Sequence, residues 1–330
     1  MHTQEISATL TSLFRQDARN VVVFLQGPPG IGKTATVGQA AQRAGKKLFT
    51  FALPTCESVD LRGLPTVVDG ITRWASPLPR DGHGVLLLDE LSSAAPDVQV
   101  AAHHLVHAEP GSDMSLPAGW HLVLTGNRAS DKTHYRATSA PLRNRLVTIN
   151  VEPDVAQWAE WALDNSVSPF VVGFLRWRPE LLIAKEIPGE GAFPSPRSWE
   201  ATSNILGLQM GNAIEREMIL GAIGEGATIE FDAYLKAARD LPNIEAILAA
   251  PSKAPLPKSP AQLYALSTSL AQYTREYDKS AMTYIARMPA EFALLYVLDV
   301  RRGGYDIRAD KQIGKWVQEH STLFQTGVAA

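Results

Sequence analysis

The sequence predicts an α/β protein: a parallel sheet core over residues 1–152, an α-helical region over 153–250 and a further α-helical extension over 251–330. Three observations carry that prediction. Continuous apolar runs alternate with helical patterns through the first 152 residues, as parallel strands under helices require. The octet Gly27-Pro28-Pro29-Gly30-Ile31-Gly32-Lys33-Thr34 sits between one such run and a helical pattern. From Pro153 onward no strand pattern recurs, and four prolines crowd residues 251–260, which reads as a linker.

Taken in order, Ile6, Leu10, Leu13 and Phe14 recur at helical spacing and predict a helix lying on the core. Val21 to Leu25 is a buried strand. The octet follows it, then a helix to about residue 44. Residues 47–53 alternate and are rich in Phe, which predicts a second strand; 57–65 is polar and reads as a loop. Residues 67–74 predict a hairpin turning at Asp69-Gly70. Gly84 to Leu88 is apolar throughout, a strand buried on both faces, and it ends in Asp89-Glu90. A helix over 96–108, a strand over 121–125 and a last strand over 146–151 complete the first region. Beyond it, helical patterns cover 155–162, 174–175, 199–206, 214–222, 231–238, 263–273, 281–287, 291–300 and 313–319.

The octet reads G-x-x-x-x-G-K-T between a strand and a helix start, the context of a phosphate-binding loop. Its glycines let the backbone close around a polyphosphate with successive N–H groups turned inward, and the helix start adds partial positive charge. Lys33 would reach the β- and γ-phosphates, and the Thr34 hydroxyl would hold Mg²⁺.

Asp89-Glu90, about 55 residues further on, supplies the acidic partner. Asp89 is a hard oxygen ligand for Mg²⁺, and Glu90 a general base for water. Asn127, just past the next strand, is an uncharged amide that can hold the lytic water or touch a γ-phosphate. In Leu142-Arg143-Asn144-Arg145-Leu146 either arginine can project towards a neighbouring subunit and stabilise γ-phosphoryl charge; Arg145 is favoured and Arg143 competes with it. Arg197, in the first turn of a helix opened by Pro194 and Pro196, stands where the helix dipole disfavours a cation, which points to an external anion.

Composition bounds the rest. The 330 residues are 45% hydrophobic and 20% charged, ordinary for a globular protein of two or three domains. A net charge of -3 gives no overall basic field for nucleic acid. The lone Cys56 forms no internal disulfide, and neither a signal pattern nor a membrane-length apolar run occurs, so a cytoplasmic location is expected. His103, His104 and His107 lack carboxylate or Cys partners at metal spacing. Trp158 and Trp161 read as core, and Arg176-Trp177-Arg178 is weak evidence for base stacking.

The landmarks in this order resemble those of the P-loop NTPases called AAA+ ATPases, and within them the MoxR-like branch. The carrying residues are Gly27 to Thr34, Asp60-Leu61-Arg62-Gly63-Leu64-Pro65, Leu86 to Glu90, Gly126-Asn127, Leu142 to Leu146 and Ser195-Pro196-Arg197. The resemblance covers about residues 1–240 and extends to phage and prophage relatives. It implies an α-helical lid after the sheet domain, ATP with Mg²⁺ at subunit boundaries, and a homo-oligomeric ring, usually a hexamer. It makes Asn127 the first sensor and Arg197 the second, and implies a protein client, in some relatives a von Willebrand A-domain protein. Two departures stand out. Arg143-Asn144-Arg145-Leu146 replaces the usual Asp-Arg-Phe, and Arg128 follows Asn127 where many relatives have Pro.

The expected function is ATP hydrolysis coupled to remodelling of a protein partner. Two other readings stand beside it. One is a nucleic-acid motor or restriction subunit like the McrB-like relatives, with residues 66–78 or 111–120 touching DNA. The other is a nucleotide-gated binding module with little turnover, the reading least suited to the presence of Glu90 and the arginine pair.

Overall fold

The computed structural model describes residues 1–16, 19–109, 112, 114–131, 135–274, 279–306 and 311–322. The proposed 111–120 loop therefore lies partly outside the described residues. The chain divides into two compact units, Met1–Pro153 and Asp154–Ala330.

The first unit runs α1 (Thr3–Arg15), β1 (Val22–Gln26), α2 (Lys33–Arg43), β2 (Lys47–Ala52), α3 (Ser58–Arg62), β3 (Leu64–Val68), β4 (Ile71–Ala75), β5 (Gly84–Asp89), α4 (Pro96–His107), β6 (Trp120–Gly126), α5 (Ala140–Arg143) and β7 (Leu146–Asn150). Five strands form one sheet in the order β2-β5-β6-β1-β7, and every neighbouring pair is parallel. The apolar runs of β1, β5 and β6 occupy the three central places. Their alternate residues serve opposite faces. Val23, Leu25, Val85, Leu87 and Val123 pack with Ile6, Leu10, Phe14 and Val37. Phe24, Leu86, Leu88, Leu122 and Leu124 pack with Val98, Ala102 and Leu105. Each such burial contributes roughly 1.5–3 kcal/mol, and two-sided burial is why these strands show no polar alternation.

Register brings the strand ends level: Gln26 lies opposite Gly126 and Asn150, and Ala52 opposite Asp89. Open parallel sheets bind ligands beyond these carboxyl ends.

The hairpin forms as β3 and β4, paired antiparallel, with Asp69 and Gly70 both at positive φ, as a type I′ turn requires. Residues 57–65 depart from the expected loop. Glu57 N–H donates to the Asp60 carboxylate at 2.8 Å, capping the short helix α3, and Leu61 is fully buried beneath it.

The second unit contains α6 (Val155–Asp164), α7 (Pro169–Trp177), α8 (Pro196–Gly207), α9 (Asn212–Arg239), α10 (Ile244–Ala249), α11 (Pro260–Tyr273), α12 (Lys279–Ile285), α13 (Ala290–Arg302) and α14 (Lys311–Glu319). One core gathers Phe174, Trp199, Phe231 and Tyr234; another gathers Tyr284, Tyr296, Met282 and Trp316. Helix α11 serves both, with Ala261 and Ala265 in the first and Leu263, Leu266 and Leu270 in the second. The two helices expected over 214–238 meet at Gly224, whose φ of 77° and ψ of 169° interrupt α9. A side chain there would press its Cβ to 2.4 Å from the Ala192 carbonyl oxygen, so glycine is required.

The proline-rich stretch before α11, read above as a linker, is tied down rather than free. Tyr284 Oη donates to the Pro255 carbonyl at 2.6 Å, and Arg287 Nη1 to that of Ala254 at 2.9 Å. Arg176 is also internal: it forks onto Asp299 at 2.6 and 2.7 Å and reaches Thr268 at 3.2 Å, so it is not presented to a base. Among the described residues, no helix is long and apolar enough to cross a membrane.

Candidate functional site

Strand β1 delivers the chain to the carboxyl edge of the sheet, and the octet turns it back into α2. Gly32 makes that turn possible. It stands before the first residue of α2 at φ 97°, ψ 18°, a left-handed conformation with open space where a Cβ would lie. Lys33 follows and is buried; its Nζ donates to the carbonyls of Gly27 at 2.7 Å and Pro28 at 3.0 Å. The ammonium thus sits inside the loop it belongs to. It also donates to Asn127 Oδ1 at 3.1 Å, which joins the loop to the end of β6.

Thr34 Oγ1 donates to Asp89 Oδ2 at 2.8 Å. The second carboxylate oxygen of Asp89 accepts from the Thr125 hydroxyl. Thr125 Oγ1 in turn accepts the Glu90 N–H at 3.1 Å. Glu90 itself is exposed and adopts φ 61°, ψ 41°, a conformation costly for a non-glycine residue and one that persists only where the surroundings over-determine it. Two residues further along, Ser92 Oγ accepts the Asn127 N–H at 2.7 Å. Asn127 Nδ2 has no partner among the described residues.

The site residues expected from sequence therefore fall into three groups. Lys33, Thr34, Asp89, Glu90 and Asn127 converge at the ends of β1, β5 and β6. Arg143 and Arg145 are both exposed and precede the start of β7. Arg143 is engaged by donating from Nη1 to the Thr138 carbonyl, whereas Arg145 makes no side-chain hydrogen bond or ion pair among the described residues. Arg197 belongs to the second unit, where it is exposed in the first turn of α8 after the Ser195 cap.

Arg128, the departure after Asn127, donates through its backbone N–H to Asp131 at 2.7 Å and pairs with the same carboxylate through its side chain at 3.0 Å. Sequence reasoning missed Thr125 and Ser92. Their only signal is a hydroxyl at the end of an apolar strand and another two residues after the acid pair.

The histidines of α4 form their own contact. His103 and His107 Nε2 atoms lie 3.2 Å apart, and His107 Nδ1 donates to the His103 carbonyl at 2.9 Å. Partial burial, then His107, His104 and Arg145, hold the His103 imidazole below its usual range. Among the described residues, no group of three or more His, Cys, Asp or Glu could hold a metal. Burial, followed by Asp60, pushes the Cys56 thiol up, away from reactive thiolate character.

The residues present suit a polyphosphate and magnesium. The Thr34 hydroxyl and Asp89 carboxylate are hard oxygen donors already within 2.8 Å of each other. The ammonium of Lys33 is held in a loop whose turn at Gly32 leaves room for a ligand.

Residues 22–146 match the family model for the AAA domain (dynein-related subfamily). Protein NorQ of Paracoccus denitrificans (strain Pd 1222) is 38% identical over an alignment of 122 residues, with 33% of this chain and 45% of NorQ covered. The matching region therefore spans less than half of that relative. A crystal structure of NtrX from Brucella abortus in complex with ADP overlaps 97% of this chain and 68% of its own, at 17% identity and a TM-score of 0.38. That likeness is too loose to bear on the fold.

Proposed function

We propose that the protein is a MoxR-like, ring-forming ATPase that uses magnesium-dependent ATP hydrolysis to remodel or activate a protein partner, with a von Willebrand A-domain protein as a candidate client. The observation that carries this reading is the single constellation linking Lys33, Thr34, Asp89, Glu90 and Asn127 through direct hydrogen bonds and shared backbone.

In this reading the backbone N–H groups of Gly30 to Thr34 cradle the β-phosphate. Lys33 exchanges its carbonyl partners for phosphate oxygens, a stronger, charge-assisted set. Thr34 and Asp89 hold magnesium, which when bound neutralises charge on the β- and γ-phosphates. Glu90 orients and deprotonates the attacking water. Asn127 keeps its amide oxygen on Lys33 and offers Nδ2 to the γ-phosphate or the water. Arg145 of a neighbouring copy meets the γ-phosphoryl group, a role favoured by its making no side-chain hydrogen bond or ion pair among the described residues; Arg197 is the second sensor. A hexamer is the expected assembly.

The test is ATP turnover by the purified chain with and without Mg²⁺, and capture of what copurifies with Glu90→Gln protein in ATP. Mg²⁺-dependent turnover lost in Glu90→Gln supports the reading; equal turnover in that variant contradicts it.

A further inference from the structure

Thr125 is fully buried at the end of β6 and carries one proton on one oxygen, yet it serves two neighbours, the last residue of β5 and the one after it. Its proton goes to Asp89 Oδ1, and its lone pair receives the Glu90 N–H. We propose that Thr125 is a positioning residue that sets the acid pair: it turns the Asp89 carboxylate so that Oδ2 faces Thr34, and it holds Glu90 in its left-handed backbone conformation. The inference rests on the hydrolytic reading above.

The Thr125 hydroxyl alone supplies both contacts. A carboxylate rotates readily about its last bond, so Asp89 needs a donor on Oδ1 if Oδ2 is to stay with Thr34 at 2.8 Å. Glu90 pays for its positive φ in backbone strain, and a hydrogen bond from its N–H is a direct restraint on that conformation. Ser93 N–H to the Glu90 carbonyl at 2.9 Å and the buried Leu91 hold the other side of the same turn. Valine has the shape of threonine without the hydroxyl. It would free the carboxylate and leave the Glu90 N–H without its partner, while filling the same space. Groups that orient metal ligands from behind commonly matter as much as this.

The experiment compares the full chain with Thr125→Val and Thr125→Ser. Mn²⁺ binding in the presence of ADP is read by electron paramagnetic resonance, and ADP binding in EDTA by calorimetry. Thr125→Val should weaken Mn²⁺ binding by about ten- to a hundredfold and leave metal-free ADP affinity unchanged, and Thr125→Ser should restore Mn²⁺ binding. Parent-like Mn²⁺ binding by Thr125→Val overturns the proposal. So does an equal loss of metal-free ADP affinity, which would mark general damage to the loop. A parent chain that binds Mn²⁺ and ADP but does not hydrolyse ATP would overturn the hydrolytic reading, while the binding ratio still judges the role of Thr125.

Discussion

Thr34 and Asp89 lie 55 positions apart in the chain, and their side chains meet at 2.8 Å. The contact exists because β1 and β5 end level on either side of β6, so the start of α2 faces the last residue of β5. It brings together two hard oxygen donors of the kind that magnesium takes, at the edge of the sheet where the Gly27–Thr34 octet turns into α2.

Glu90→Gln removes the proposed base while keeping size and the exposed setting. Turnover should fall by roughly a hundred- to ten-thousand-fold, with nucleotide affinity retained. Steady-state hydrolysis set beside equilibrium binding of a fluorescent ATP analogue checks both halves.

Lys33→Ala should abolish ATP binding. It also strips two loop carbonyls and Asn127 Oδ1 of their donor. The loop then loses its inner cation and its link to β6. Calorimetric titration with ATP and Mg²⁺ should give no heat of binding for the variant, alongside an unchanged far-ultraviolet spectrum.

Most of the strand core was legible because two-sided burial writes itself as unbroken apolar runs, as in Val85 to Leu88. The hairpin was legible from Asp69-Gly70, a dipeptide suited to two consecutive positive φ angles. Short helices were not. Helix α3 depends on one capping contact between Glu57 and Asp60, and α10, Ile244–Ala249, is too brief to show a period. At the site, the motif residues announced themselves by spacing within one segment. Thr125 and Ser92 did not, because their partners lie at or just past the end of a different strand, and only the sheet order brings them within reach.

Arg176→Ala should destabilise the second unit by about 3–5 kcal/mol, since it leaves the buried Asp299 carboxylate unpaired. Denaturant unfolding followed by tryptophan fluorescence measures the loss. Arg176→Met with Asp299→Leu should recover much of it, because neither charge then remains to be satisfied.

Gly224→Ala should destabilise the same unit, by about 1–3 kcal/mol for the positive φ alone. The Cβ forced to 2.4 Å from the Ala192 carbonyl adds to this. The same unfolding measurement reads it. The neighbouring Gly226, which has open space around it, is the control: Gly226→Ala should be neutral or mildly stabilising in its helix.

In the proposed mechanism one copy supplies the cradle and acid pair, and the next copy supplies a guanidinium. Mixing two variants tests it most directly. Arg145→Ala and Glu90→Gln should each be nearly inactive alone, the first by on the order of a thousandfold or more. Mixed in equal amounts, they should regain Mg²⁺-dependent ATP hydrolysis, because an intact cradle from one then faces an intact Arg145 from the other. A mixture as inactive as its components, or Arg145→Ala protein as active as the parent, would contradict the account.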